Sequence, residues 1–346
     1  MEQKTRLTWI DICRGIGIIF IILSHTPITR NLIGYNYSFQ LGIFFFFAGY
    51  LFSWKKYLNF KDFFKSRVKG ILLPYFFLSL ISMIFYLFYY KVPLYSISTF
   101  KDMFTTFLFG ARNTIFYNIP LWFLPTLFLM ENFYYLLKKY WKKDIIIYPA
   151  VLYLSCLCFI CFNALNKTNV FWTWTAGGYY LIYFAIGNLI KEHPIKIKNN
   201  LILSMVLILA LAINLSMYFC PITYFSFLDP QTPSWISLRV FFTAIIVMLS
   251  GTYVYIRLSN LLSKKLNHAY FLEYLGKNSL IFFGLHIPIM WSIRSFFERF
   301  NIQITQRFNL EGIVYLILII LILIPVNYII NRFFPGIVGK RKGVEK

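Results

Sequence analysis

Ten stretches of this chain are apolar over bilayer length, roughly 20 residues each. They lie near 7–28, 37–54, 71–90, 119–137, 145–163, 171–190, 200–220, 235–256, 270–293 and 312–333. Hydrocarbon offers the backbone no hydrogen-bond partner, so segments like these cross a membrane only as helices. Soluble chains average about a quarter charged residues, whereas this one has 13% charged and 59% hydrophobic residues. The expected fold is an all-α polytopic integral membrane protein with ten transmembrane helices. Asp11 and Arg14 fall inside the first span and no small-residue cleavage site follows it, so it reads as a retained helix rather than a cleaved signal peptide.

Lysine and arginine accumulate in cytoplasmic loops, and the ten-span layout obeys that rule. With both termini cytoplasmic, 23 of the 34 Lys and Arg fall in inner segments and 8 in outer ones, leaving Arg14, Arg239 and Lys277 within spans. The net charge of +22 is then mostly a topology signal, with attraction to anionic lipid at the inner face. The basic residues are divided among short loops, which argues against nucleic acid as a partner. One loop invites a second reading: KKYLNFKDFFKSRVKG, 55–70, is basic, aromatic and cytoplasmic, and suits a phosphorylated cosubstrate as well as a topology role. No segment resembles an appended soluble domain, so residues 1–346 read as a single membrane domain. Cys156, Cys158 and Cys161 share a span with no nearby histidine or carboxylate, and read as small hydrophobes rather than as a metal site or disulfide framework.

Charged side chains inside spans cost roughly 2.5–3.5 kcal/mol on the mildest scale, and so they mark protein interiors or watery cavities. The ionisable residues placed there are Asp11, Arg14, His25, Glu131, Arg239, Glu273, Lys277 and His286. Glu273 and Lys277 have the i,i+4 spacing of a simple pair, and Arg239 is near enough to the outer boundary to snorkel. Neither explanation fits Arg14 or Glu131. In RGIGIIFIILSH, Arg14 and His25 are eleven residues apart, which returns to within roughly 20° of the same face about 16 Å further along the axis. Asp11 precedes Arg14 on nearly the same stripe. In the ninth span, GKNSLIFFGLHIPIM, Ser279 and His286 also share a face, and His286 falls at a depth similar to His25. The other two histidines, His193 and His268, fall in cytoplasmic loops.

These residues resemble acyltransferase family 3, membrane proteins that move acyl groups from acyl-CoA to extracytoplasmic carbohydrate. The resemblance rests on R-x10-H within WIDICRGIGIIFIILSH, on FFFFAGYLF, on LWFLPTLF and on GKNSLIFFGLHIPI, in the family's order from about residue 9 to 290. One departure stands out. The family often has Arg-x-x-Arg in the cytoplasmic loop before the third span, whereas here Arg67 is followed by Val68, Lys69 and Gly70. Lysine lacks the bidentate fork of arginine, so a donor-binding role for Arg67 and Lys69 rests on weaker ground than the helix motifs.

The resemblance implies acetyl-CoA as the acyl donor, a surface polysaccharide or its lipid-linked precursor as the acceptor, and no metal. A sugar hydroxyl becomes a competent nucleophile when a base takes its proton, and neutral imidazole is a suitable base near pH 7. His25 is assigned that step and Arg14 the positioning of the donor, with Asp11 holding Arg14. Glu131 and His286 are candidates for acceptor binding or for orienting His25. Trp122, Asn278 and Ser279, within the family-like motifs, are candidates for substrate contacts. The bacterial plasma membrane is the expected location. The competing reading is a transporter or flippase for a lipid-linked sugar, in which Asp11, Arg14 and Glu131 would line the path.

Overall fold

The structure, a computed structural model, describes residues 7–339 apart from 92, 94–95, 113, 165–169, 195–198, 221–233, 266–268 and 303–308. The described residues form helices and short turns, with no strand among them. Every expected span has a helix: α1 (Thr8–Leu23), α3 (Gln40–Leu51), α5 (Leu73–Tyr89), α7 (Phe123–Trp141), α8 (Asp144–Ala164), α9 (Trp174–Glu192), α10 (Asn200–Phe219), α11 (Ser234–Lys265), the pair α12 (Tyr270–Lys277) and α13 (Ser279–Arg299), and α14 (Asn309–Phe333). Three further helices, α2 (Arg30–Tyr37), α4 (Phe60–Arg67) and α6 (Ile97–Phe109), lie in stretches read as loops. His268 is outside the described residues.

Among the described residues, six helical segments are long and apolar enough on their own to cross a membrane: Phe60–Tyr89, Asp144–Cys161, α10, Leu238–Lys264, α13 and α14. The other four, α1, α3, α7 and α9, are shorter or more polar, and they form the interior. Eleven of 16 residues in α1 and 12 of 19 in α9 are buried, against 17% of the most apolar window of α10. Polar character therefore follows enclosure. Helices facing lipid must be apolar, while enclosed helices can carry Asp11, Arg14 or Glu131 if the protein supplies partners.

At two helix contacts reciprocal glycines bring backbone against backbone. A Cβ on Gly15 of α1 would fall on the Leu272 carbonyl of α12, and one on Gly276 of α12 would fall on the Asp11 carbonyl of α1. The same reciprocal arrangement joins α3 and α9, where Gly49 faces the Phe184 carbonyl and Gly187 the Phe46 carbonyl. Small residues permit such approach, the main packing device of helices in lipid. Aromatic side chains fill the remaining space, with Phe45 stacked on Tyr180 at 4.6 Å between centroids and Phe63 on Tyr135 at 4.4 Å.

The segment before the third span is helical from Phe60, where Asn59 caps α4 by accepting from the Asp62 amide at 2.9 Å. A single π turn, Val68–Leu72, joins α4 to α5 just ahead of Pro74, whose ring nitrogen has no hydrogen to donate. The ninth span breaks at Asn278. Its side chain donates to the Tyr274 carbonyl at 2.9 Å and accepts from Asn331 of α14 at 3.1 Å.

A cation-rich end of the bundle is tied together by its own ion pairs. The Lys138 ammonium lies 2.7 Å from both Asp144 and Glu192, joining α7, α8 and α9, and Lys191 donates to the Phe52 carbonyl at the end of α3 at 2.8 Å. The i,i+4 pair of Glu273 and Lys277 is present at 3.4 Å.

Gly187→Ala and Gly276→Ala should each cost about 1–3 kcal/mol or more, because backbone, not a flexible side chain, must move to admit the methyl. Gly70→Ala, where an added Cβ meets nothing within 4 Å, should leave stability nearly unchanged. Thermal unfolding in detergent, followed by size-exclusion chromatography, measures the difference.

Candidate functional site

The docking of α1 on α12 fixes the register of α1 against α13, and two polar pairs follow from it. Arg14 on α1 donates through Nη2 to the Ser279 hydroxyl on α13 at 2.8 Å. Further along α13, and in the turn just after α1 ends at Leu23, the rings of His286 and His25 lie 5.0 Å apart at 60°. The structure thus brings together the two intramembrane histidines that the sequence placed at one depth. Asp11, buried one turn before Arg14, sits where α1 meets α12.

The backbone sets the proton on each imidazole. His25 Nδ1 lies 2.8 Å from the Ile21 carbonyl, and His286 Nδ1 lies 2.7 Å from the Phe283 carbonyl. A carbonyl only accepts, so each Nδ1 carries hydrogen and each neutral ring keeps its lone pair on Nε2. Both rings are therefore set up as bases at Nε2. His286 is fully buried, and its Nε2 has no hydrogen-bond partner among the described residues. An acceptor buried without a partner costs about 1–3 kcal/mol, a cost removed when a donor from a ligand or water meets it.

A cavity of about 360 Å³ opens at the cation-rich end; neither His25 nor His286 lines it, and its lining stops about one helical turn short of each. Its rim carries exposed Lys56 with half-buried Tyr57 and Arg67; Arg14, Ser279 and Glu131 line its middle; buried Ile21 and Phe283 line its far end. These last two residues supply the carbonyls that hold the histidines. The volume is in the range of small-molecule sites. Arg67 is the most heavily bonded residue of the rim. Its Nη1 donates to Glu131 at 2.7 Å, its Nη2 to the Tyr57 hydroxyl at 2.9 Å, and its guanidinium lies 5.2 Å over the Phe63 ring. Burial pushes the Tyr57 hydroxyl up, but its hydrogen bond with Ser66 and the Arg67 charge outweigh burial and hold it below the ordinary tyrosine value.

Several expected site residues lie elsewhere. Lys69 is exposed on the π turn and does not line the cavity, leaving Arg67 as the member of that pair in contact with it. Asn278 is engaged with α14 at the helix break. Trp122 is buried beneath the Arg112 guanidinium, 5.3 Å from its ring, beyond the lining of the cavity. Glu131 faces Arg67 rather than the histidines. Sequence reading singled out both ion-pair partners without joining them, and it marked the segment 55–70 that holds Lys56 and Tyr57 without naming either as a site residue. The signal that joins them is a buried carboxylate needing a cation, with a basic segment adjoining the next span. The acidic group of Asp144, Glu192 and His193 has the spacing of a metal site, but the Lys138 ammonium bonds both of its carboxylates.

The protein thus holds a cavity with cations at its rim and, about one helical turn beyond its apolar end, a pair of adjoining imidazoles. The sequence profile of acyltransferase family 3, described as an acyltransferase domain, matches residues 7–332. The chain belongs to that family, and is a membrane acyltransferase by membership. Comparison with curated proteins and with solved structures returned no match.

Glu131→Gln and Arg67→Leu should each destabilise the protein by about 1.5–3 kcal/mol, the range for hydrogen bonds to charged groups. The double variant should lose less than the sum of the two, because neither charge is left unpaired. A double-mutant cycle on thermal midpoints measures the coupling.

Proposed function

We propose that the protein is a membrane O-acyltransferase that carries acetyl from cytoplasmic acetyl-CoA to a hydroxyl of a cell-surface polysaccharide or of its lipid-linked precursor. The observation that carries this reading is the pair of imidazoles with Nδ1 pinned to the carbonyls of Ile21 and Phe283, two residues that line a cavity whose rim is cationic. The nucleotide end of the donor stays at the rim with Lys56 and Arg67, and its acyl arm lies along the cavity past Arg14. Ten spans with both termini cytoplasmic place the rim in the cytoplasm and the histidines towards the outer leaflet, where an extracytoplasmic acceptor arrives. The bacterial plasma membrane is the proposed location.

In the transfer step the acceptor hydroxyl attacks the thioester carbonyl. A carbon–oxygen bond forms, the carbon–sulfur bond breaks, and His25 Nε2 takes the hydroxyl proton. The imidazolium then returns that proton to the CoA thiolate, so that ester and free CoA leave and His25 is regenerated. Arg14, held by Ser279, positions the donor. His286, ring to ring with His25, orients it or meets the acceptor. A flippase path through Asp11, Arg14 and Glu131 has less support, since Asp11 does not line the cavity and the Glu131 carboxylate is paired with Arg67.

Membranes containing the protein, supplied with labelled acetyl-CoA and a panel of surface glycans, should transfer label to carbohydrate. His25→Ala, present at equal amount, should reduce the rate by about 10²–10⁴-fold; equal labelling would remove His25 from the chemistry. A reporter fused to either terminus should be accessible only from the cytoplasmic side. An external terminus would overturn the proposed topology.

A further inference from the structure

His286 lies on a turn of α13 whose hydrogen bonding is incomplete by its sequence. Pro288, inside that helix, has no N–H, so the carbonyl four residues earlier, that of Gly284, lacks its regular intrahelical donor. The structure supplies a substitute from another helix. The Asn118 side chain donates through Nδ2 to the Gly284 carbonyl at 2.7 Å and to the Ser82 hydroxyl of α5 at 2.8 Å. Gly284 can only accept here, so the amide nitrogen must be the atom that faces it. Asn118 is fully buried, next to the 3₁₀ turn Ile119–Trp122 that opens α7. Gly284 has no side chain in the way: a Cβ there would lie 2.5 Å from Leu78 of α5. Ser82 in turn donates to the Leu78 carbonyl at 2.7 Å. Asn118 therefore joins α5 and the start of α7 to the one turn of α13 that sits between Gly284 and Pro288, and His286 is in the middle of that turn.

We infer that Asn118 is a positioning residue: its amide stands in for the donor that Pro288 lacks, and so fixes the turn that holds His286 against His25. His286 Nδ1 lies 2.7 Å from the Phe283 carbonyl and 3.2 Å from that of Phe282, the two residues just before Gly284. Asn118 does not line the donor cavity. Its loss should therefore disturb the imidazole pair and not the binding of acetyl-CoA. The catalytic consequence rests on the acyltransfer reading; the hydrogen-bond consequence does not.

The test replaces the amide and then repairs the backbone. Asn118→Leu keeps the size and removes the donor. Pro288→Ala gives residue 288 an N–H that can serve the Gly284 carbonyl within the helix. Two readouts are taken on purified full-length protein: kcat and KM for acetyl-CoA, and the nitrogen-15 resonances of the imidazoles, which distinguish a protonated Nδ1 from a protonated Nε2. The chain has four histidines, so His286→Gln assigns the signals. Asn118→Leu should lower kcat by at least about tenfold, within the ~100-fold that a 1 Å misplacement can cost, with KM unchanged. It should also abolish the single Nδ1–H signature of His286 alone. Adding Pro288→Ala should restore both. If Asn118→Leu fails to accumulate and the double variant is recovered, that rescue supports the same conclusion. Wild-type behaviour of Asn118→Leu, a loss that Pro288→Ala does not repair, or an altered His286 signal with unchanged kcat would overturn it. Should the wild type transfer no acyl group, the nitrogen-15 comparison still decides the hydrogen-bond claim while the acyltransfer reading fails separately.

Discussion

The contact of α1 with α12 is the constraint on which the site depends. Glycines at positions 15 and 276 let each backbone rest on the other's carbonyl. α12 runs through Asn278 into α13, so the position of α1 against α12 is carried directly into α13. Arg14 then meets Ser279, and eleven residues later His25 meets His286. A side chain at either glycine would separate the helices and move both pairs together. The reciprocal glycines at positions 49 and 187 do the same for α3 and α9, and α3 lines the cavity through Leu41, Phe44, Phe47, Ala48 and Leu51.

The second requirement is that each polar group taken out of water has a partner. Glu131 has the Arg67 fork, Lys138 has two carboxylates, and the imidazole Nδ1 atoms have backbone carbonyls. Other buried atoms, Asn118 Oδ1 and Asn132 Oδ1 among them, also lack a partner among the described residues; His286 Nε2 is set apart by its place on a ring 5.0 Å from that of His25. Stability and chemistry share this arrangement, since the bonds that settle each imidazole's tautomer also direct its basic nitrogen.

Much of this was legible in the sequence. Hydropathy located a helix for every expected span, and the 3.6-residue period placed Arg14 and His25 on one stripe, with His286 at a matching depth. Six of those helices meet a length-and-apolarity test alone; α1, α3, α7 and α9 do not, because enclosed helices are free to be short and polar. The helices α2 and α6 were hidden since neither is long or apolar enough to read as a span, and α4 was hidden because its basic residues read as loop. The Arg67–Glu131 pair spans 64 residues, and periodicity within one helix cannot show which helices become neighbours. Asn118 gave no signal either: its role exists only because Pro288, far along the chain, leaves a carbonyl in need of a donor.

The central claim is that the cavity delivers an acyl group from the cation-rich rim to the histidine pair. The most direct measurement is photolabelling with a hydrolysis-resistant acyl-CoA analogue that carries its photoreactive group on the acyl chain, followed by peptide mapping. The account predicts label on α1 near Ile21 and on α13 near Phe283, competed away by acetyl-CoA. Competed label confined to helices that do not line the cavity, such as α10 or α14, would contradict it.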